Sequence, residues 1–191
     1  MDQQKAVALL KKSGALLEGH FLLTSGNHSG KYIQCALLLS HPYMAVEFMQ
    51  DIAEHFKGSK IDTVAAPAVG GIIVSYEVAR LMGKRAVYLE RENGAMKLRR
   101  GFNIARNERV LIVEDVITTG GSVQEVAGVV QKHGGVVDSS ASLVNRSGGR
   151  FDPGLPYYFC LKMDVPIYRP QECPFCKQGL PLVKPGSRNI G

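Results

Sequence analysis

The chain has 191 residues, of which 45% are hydrophobic and 21% are charged, values typical of a globular protein with a sizeable core in one domain. Its longest apolar runs, such as Cys35 to Leu39, are too short to span a bilayer, and residues 1–5 lack the apolar core of a signal peptide, so we expect a cytoplasmic protein. The net charge of +6 raises the question of nucleic-acid binding, but no nucleic-acid motif accompanies the basic residues, and a pocket for a polyanionic small molecule explains the excess more simply.

A helix and a pair of strands are the first predicted elements. Residues 2–12 have helical spacing, with Asp2 placed to cap the amino end. Two apolar segments between Gly19 and Gln34 flank a Ser-Gly-Asn-His-Ser-Gly turn, which predicts a hairpin. The turn and the aromatic side chain of Tyr32 would suit either a plain surface hairpin or a lid over a planar ligand.

Strands alternate with helices through the middle of the chain. The predicted helices cover residues 42–57, about a dozen residues before Gly83, and 122–133; the predicted strands cover 61–66, 86–90, 110–113, 136–144 and 157–163. This alternation predicts an α/β fold with a parallel sheet covered on both faces. In such sheets, ligands bind at the carboxyl ends of the strands.

Several loops follow predicted strand ends and are expected to converge. The small residues of the turn 67–71 would let backbone N–H groups approach an anion, although a plain turn is the alternative. The segment 91–102 is polar, basic and contains glycine. It is either a solvated surface hairpin or a mobile loop that closes over phosphates. A further loop, after Val144, carries Arg146.

The most informative stretch runs from Val110 to Ser122. An apolar strand is followed by two carboxylates, Glu114 and Asp115, and then by a hydroxyl- and glycine-rich turn. Carboxylates at a strand end can accept hydrogen bonds from sugar hydroxyls, and the turn can direct N–H groups at a phosphate. The sequence contains neither a P-loop nor a G-x-G-x-x-G motif after a strand. The stretch therefore predicts a ribose 5-phosphate pocket, with an ordinary strand–turn–helix junction as the alternative.

The four cysteines do not suggest a secreted disulfide framework. Cys173 and Cys176 have the spacing of half a zinc site, but a second pair is missing and no histidine follows them. We expect reduced thiols in a C-terminal turn, with structural zinc as the alternative.

The stretch from Val110 to Ser122 resembles the phosphoribosyl-pyrophosphate (PRPP) signature of type I phosphoribosyltransferases. Within that family, Gly19 to Gln34 looks like the substrate-hood segment of orotate phosphoribosyltransferases. Arg99 to Phe102 and the tail motifs between Cys173 and Ser187 resemble one bacterial and archaeal branch. The resemblance extends over nearly the whole chain.

The resemblance implies a type I phosphoribosyltransferase-like parallel sheet flanked by helices, with a small N-terminal hood. A single phosphoribosyltransferase domain would cover residues 1–191. Residues 15–40 would contribute the hood and residues 170–191 a C-terminal tail. The family also implies a homodimer in which the basic loop serves the neighbouring subunit, with no nucleic-acid or membrane partner.

The implied reaction transfers the ribose 5-phosphate of PRPP to orotate, which gives orotidine 5′-monophosphate and pyrophosphate in pyrimidine synthesis. Mg²⁺ would be bound mainly through substrate oxygens, with no dedicated protein ligands for the metal. The turn 67–71 would receive pyrophosphate. The implied catalytic residues are Glu114, Asp115 and Lys97, with Arg99 and Arg100 as alternatives to Lys97. The implied PRPP contacts are Arg91, Glu114, Asp115, Val116, Ile117, Thr118, Thr119, Gly120, Gly121 and Ser122, and the implied orotate contacts are Tyr32, Thr118 and Arg146.

Two other functions remain open at this point. A phosphoribosyltransferase for another base is disfavoured by the hood and by Arg146, because a neutral base has no carboxylate for Arg146 to pair with. A PRPP-sensing regulator that binds nucleic acid is disfavoured by the intact acidic pair and by the lack of an added DNA-binding domain.

Overall fold

The computed structural model describes residues 1–23 and 25–185. Thr24 and residues 186–191, which include the end of the predicted tail, lie outside the described residues. In chain order the elements are α1 (Gln3–Lys12), β1 (Leu16–Leu22), β2 (His28–Ile33), α2 (Cys35–Leu39), α3 (Pro42–His55), β3 (Thr63–Pro67), α4 (Gly70–Met82), β4 (Arg85–Glu92), β5 (Ala95–Leu98), β6 (Arg109–Ile117), α5 (Gly121–Lys132), β7 (Val136–Asn145), β8 (Tyr157–Lys162), β9 (Ile167–Tyr168), a 3-10 turn (Pro170–Glu172) and α6 (Pro174–Lys177).

The larger sheet has six strands in the order β5-β4-β3-β6-β7-β8. All neighbouring strands are parallel except β5, which pairs antiparallel with β4. Helices α3 and α4 pack in the apolar cluster on one face, and α5 packs in the cluster on the other. The predicted α/β fold, with a largely parallel sheet flanked by helices, is confirmed.

Apolar patterning explains why the central elements form. The strand residues Val110 to Val113 are completely buried, as expected for a strand covered on both faces. Helix α5 buries Val123, Val126 and Val130, whose spacing places them on one face. Helix α4 ends at Gly83, whose φ of +64° is the left-handed conformation that glycine adopts without strain.

The structure corrects one predicted boundary, agrees with the hairpin alternative for residues 91–102, and adds one short helix. Strand β6 continues to Ile117, because its pairing with β7 persists as far as Ile117 opposite Asn145. The acidic pair therefore lies within the strand and not after it. The segment 91–102, which has no clear period, contains most of a β4–β5 hairpin. The short helix α2 was not predicted, since five residues are too few to show a helical repeat.

A smaller antiparallel sheet, in the order β1-β2-β9, forms the hood. The β1–β2 hairpin agrees with the prediction from its turn sequence. Strand β9 comes from near the carboxyl end, and Val183 also hydrogen-bonds with the backbone of Leu22 and His20. Both ends of the chain therefore build the hood. Within the parts of the chain that the structure describes, no helix has the length and apolar character needed to cross a membrane.

Candidate active site

The site begins where two central strands separate. Strand β3 pairs with β6 only as far as Ala65 opposite Ile112. The chain then turns towards β4, and the N–H of Ala68 donates to the carbonyl of Leu89 over 2.8 Å. The last residues of β6 therefore lose their partner on this side, and a cleft opens between them and the start of α4.

The acidic pair lies on this unpaired part of β6. Glu114 Oε1 accepts a hydrogen bond from the Asp115 N–H at 3.1 Å, and Asp115 Oδ1 accepts one from the Val116 N–H at 2.7 Å. Both side chains are half-buried. Burial, together with the neighbouring charge of Asp115, raises the pKa of Glu114 well above its ordinary value. The pair thus favours a ligand that donates hydrogen bonds or develops positive charge.

The amino end of α4 packs directly against the acidic pair. A Cβ atom added at Gly70 would overlap the carboxylate of Asp115, and one added at Gly71 would lie 2.8 Å from the Cβ of Ala66. The two glycines therefore permit a close approach that larger residues would prevent. This end of a 13-residue helix carries partial positive charge, which favours anions nearby. The predicted turn 67–71 therefore lies beside the acidic pair.

The predicted phosphate turn connects β6 to α5. Gly120, with a φ of +80°, precedes the helix, and a Cβ atom there would overlap the ring of Phe151. The turn encloses a small recess of about 60 Å³, lined by Glu114 and by residues 116–123. Thr118 and Thr119 are exposed, whereas the side chain of Ile117 is buried in the core. Ile117 can therefore contact a ligand only through its backbone.

A larger cleft of about 1020 Å³ adjoins the turn and brings the predicted base contacts together with Asp115, whereas Glu114 lines the small recess. The lining of the cleft includes Tyr32, Asp115, Thr118 and Arg146. A volume of this size accommodates a ligand larger than a single base. A separate hollow of about 690 Å³, between the ends of α3 and α4 at the opposite edge of the sheet, contains none of the predicted site residues.

Arg146 is the strongest candidate for binding an anion in the cleft. Its backbone N–H donates to the Ile117 carbonyl at 2.8 Å, which holds the residue beside the phosphate turn. Its Nε is buried and has no hydrogen-bond partner among residues 1–23 and 25–185. Burial lowers the pKa of its guanidinium group. A half-buried arginine with an unused donor is suited to a carboxylate ligand.

Two predicted residues lie apart from this cleft. Arg91 forms an ion pair with Glu125 at 2.7 Å, and Lys97 forms one with Glu92 at 2.7 Å, both on or beside the β4–β5 hairpin. Neither Arg91 nor Lys97 lines the cleft. The structure thus brings together the predicted ribose, phosphate and base contacts, but not the hairpin cations.

Sequence reasoning missed several residues of the site. Arg150 lines the cleft, and its Nε donates to the Ser147 carbonyl at 3.0 Å. A second cation four residues after Arg146 was a usable signal in the sequence. Cys35, at the start of α2, also lines the cleft, and Phe151 supports Gly120. The sequence gives little indication of these two, because their roles depend on contacts between distant segments.

Comparisons with known proteins agree with this geometry. The sequence profile of the Phosphoribosyl transferase domain matches residues 38–171. The orotate phosphoribosyltransferase of Pelotomaculum thermopropionicum is 55% identical over 190 residues, covering 100% of both chains. That of Thermotoga maritima is 49% identical over 182 residues, covering 95% of this chain and 97% of the relative.

Solved structures extend the comparison to the fold. The crystal structure of orotate phosphoribosyltransferase from Aeropyrum pernix has a TM-score of 0.70 and 26% identity, covering 82% of this chain and 92% of the other. Adenine phosphoribosyltransferase from Thermoanaerobacter pseudethanolicus has a TM-score of 0.62 at 22% identity, covering 70% and 88%, and shares the fold. The chain therefore belongs to the phosphoribosyltransferase family, and within it to the orotate phosphoribosyltransferases.

Proposed function

We infer that the protein transfers the ribose 5-phosphate group of PRPP to orotate, which forms orotidine 5′-monophosphate and releases pyrophosphate in pyrimidine synthesis. One observation carries the choice of base. The cleft that Asp115 and the first residues of the phosphate turn line also holds Arg146, a half-buried arginine whose Nε has no partner in the described part of the chain. Orotate supplies a carboxylate for such a group, whereas adenine, guanine and uracil do not.

The proposed chemistry at the ribose depends on the acidic pair. The bond from ribose C1 to pyrophosphate breaks, and the pyrophosphate leaves with the bonding electrons. Orotate N1 forms the new bond to C1, and its proton passes to the departing pyrophosphate. Glu114 and Asp115 accept hydrogen bonds from the ribose hydroxyls and stabilise the positive charge that develops on the ring. The raised pKa of Glu114 shows that its negative charge is poorly stabilised in the protein without ligand. A positive charge that develops on the ribose stabilises this carboxylate, so the interaction is stronger in the transition state than in the ground state.

The remaining groups of the site position the substrates. The turn from Thr118 to Ser122, which leads into the amino end of α5, binds the 5-phosphate. The turn 67–71 receives the pyrophosphate. Tyr32 packs against the orotate ring, Thr118 contacts the base, and Arg146 pairs with its carboxylate. Holding both substrates in a single cleft converts an encounter between two molecules into a reaction within one complex.

Mg²⁺ belongs to this proposal mainly as an ion brought by the substrate. Glu114 and Asp115 provide the oxygen atoms that Mg²⁺ prefers, so the residues present fit the ion. Among the His, Cys, Asp and Glu side chains that the structure describes, the only group of three or more close enough to enclose a metal lies in the hood, away from this pair. When bound, the ion offsets the negative charge of the diphosphate.

A homodimer would explain the position of the hairpin cations. Arg91 and Lys97 lie outside the cleft of their own subunit and pair with acidic residues at the surface. Exposed ion pairs of this kind contribute little to stability, so they can be exchanged for phosphate contacts. In this proposal the β4–β5 hairpin completes the site of the partner subunit. The cytoplasmic location stays a prediction from the sequence.

Pyrophosphate release tests the choice of base. The protein is assayed with PRPP and Mg²⁺ in the presence of orotate, uracil, adenine, guanine or hypoxanthine, and turnover is expected with orotate alone. Turnover only with one of the other bases would contradict the assignment. PRPP binding without turnover of any base would favour a PRPP-sensing regulator.

A further inference from the structure

Four potential metal ligands meet in the hood, on the side where the tail packs. His20 lies on β1, His28 begins β2, and Cys173 and Cys176 flank the start of α6. Their ligand atoms all lie within 4.8 Å of one another. His20, His28 and Cys173 are at most 5% exposed, whereas Cys176 is exposed. We propose that this His₂Cys₂ cluster binds a structural zinc ion that joins the hood hairpin to the tail.

The distances in the cluster agree with tetrahedral zinc. Zinc bonds of about 2.0–2.1 Å to nitrogen and about 2.3 Å to sulfur place neighbouring nitrogen and sulfur ligands about 3.5 Å apart. In the structure, Cys173 Sγ lies 3.5 Å from His20 Nε2, Cys176 Sγ lies 3.6 Å from the same nitrogen, and Cys176 Sγ lies 3.3 Å from His28 Nδ1. The two ring nitrogens are 2.9 Å apart, so they would separate by about 0.4 Å around the ion.

The orientation of His20 also suits a metal ligand. Its Nδ1 lies 2.9 Å from the carbonyl oxygen of Leu180. A carbonyl can only accept a hydrogen bond, so Nδ1 carries the proton, and the lone pair of Nε2 points into the cluster. Metal-bound histidines commonly donate their second N–H to a carbonyl in this way. The tail thus supplies both the two sulfur ligands and the group that orients a nitrogen ligand.

The donor types favour zinc over harder ions. Two thiolates and two imidazoles in a closed group match structural zinc sites, in which two residues commonly separate a pair of cysteines. The ring of Phe175, which lies between the two cysteines in sequence, packs against Gly30, where a Cβ atom would lie 2.5 Å from the ring. The backbone of the hood is therefore shaped to receive this turn of the tail.

The expectation of an incomplete half-site was wrong in one respect. No histidine follows Cys176, but the second pair of ligands, His20 and His28, lies near the other end of the chain. The hairpin brings His20 and His28 together, because β1 pairs with β2 around the loop between them. Sequence spacing alone does not indicate a site whose two halves come from opposite ends of the chain.

The site would also restrain one wall of the cleft. His20 and His28 flank a loop in which Leu23, Ser25 and Asn27 line the cleft. An ion bound to both histidines and to the tail would hold the two ends of this loop together. This role is structural and does not depend on which base the enzyme uses.

Metal analysis of the full-length protein tests the proposal. Protein purified under reducing conditions from zinc-supplemented cells should contain about one zinc ion per chain. Cys176→Ser should lose the ion, and because this side chain is exposed, the substitution leaves no buried cavity. Cys160→Ser is the matched control, since its thiol donates to the Phe48 carbonyl in the main core, and it should keep the zinc.

Cobalt substitution gives a second measurement that does not depend on activity. Wild-type protein and Cys160→Ser loaded with Co²⁺ should show thiolate-to-cobalt charge-transfer absorption, and Cys176→Ser should lose most of it. A zinc content below about 0.1 per chain without a cobalt signal would overturn the proposal. So would a Cys173–Cys176 disulfide in the freshly purified protein, or full zinc retention in both Cys176→Ser and His28→Gln.

Discussion

Gly70 lies against the carboxylate of Asp115 so closely that a single added methyl group would overlap it. The first prediction is therefore that Gly70→Ala displaces this carboxylate and lowers kcat/KM about 10- to 100-fold, since small misplacements of catalytic groups have effects of that size. Steady-state pyrophosphate release measures the loss. Gly128→Ala in α5 is the control, because its added Cβ meets nothing within 4 Å.

The control should keep its activity and gain about 0.5–1 kcal/mol of stability from the better helix propensity of alanine. Equal activity in Gly70→Ala and Gly128→Ala would show that the position of the Asp115 carboxylate does not limit turnover.

Arg146 provides a test of base recognition. Arg146→Ala should raise the KM for orotate about 10- to 100-fold, the expected loss of a charged hydrogen-bonded pair, and should change the KM for PRPP by less than about threefold. Steady-state kinetics with each substrate varied in turn separates the two effects. Arg106→Ala removes the same charge from an exposed position before β6 and should change neither KM. A collapse of PRPP affinity in Arg146→Ala would mean that this arginine binds phosphate and not the base.

Glu114 should make the free energy of unfolding decrease as the pH rises, the opposite of a carboxylate whose pKa is lowered on folding. Its pKa is raised in the folded protein, mainly by burial, so the folded state binds more protons than the unfolded state above the ordinary pKa. The stabilising contribution of Glu114 to the free energy of unfolding is complete below its pKa in the unfolded state. This contribution is lost as the pH rises towards its pKa in the folded state. Glu114→Gln removes the titration, so its stability relative to wild type should increase with pH, by at most about 1.4 kcal/mol per pH unit.

Urea unfolding between about pH 5 and pH 8 measures this difference for the protein without ligands. Glu54→Gln, on the exposed side of α3, serves as the matched control for loss of one carboxylate. A constant difference between Glu114→Gln and wild type across the range would contradict the raised pKa. The same variant should lose activity, because glutamine lacks the charge that stabilises the ribose cation.

Mixing two inactive variants tests whether the hairpin acts across a dimer. Lys97→Ala and Asp115→Asn should each be nearly inactive alone, since one lacks the hairpin cation and the other an acidic group of the cleft. After subunit exchange, half of the dimers combine one chain of each kind, and each of these contains one intact site, so about a quarter of wild-type activity should return. Full activity of Lys97→Ala alone would move the role to another cation, such as Arg99 or Arg100.

If both variants are inactive and the exchanged mixture stays inactive, the hairpin does not serve the partner subunit. Native mass spectrometry with one variant isotopically labelled verifies that mixed dimers have formed.

The contrast between the phosphate turn and the hood shows which features a sequence reveals. The stretch from Val110 to Ser122 was predictable because its strand, acidic pair, turn and helix are consecutive and depend on local backbone preferences. The extension of β6 to Ile117 was not, because it depends on pairing with β7. The ligand pairs of the hood depend on contacts between the two ends of the chain, which no local pattern records.

The joint construction of the hood has a consequence for biosynthesis. Strand β2 pairs with β9, and β1 contacts Val183, so the β1–β2 hairpin acquires these partners only after residues 167–183 have been made. The central sheet has no such requirement for its first strands, β3 and β4, which are neighbours in both sequence and space. On the ribosome, the central sheet can therefore begin to assemble while the hood is still incomplete, and the part of the cleft that the hood lines is finished last.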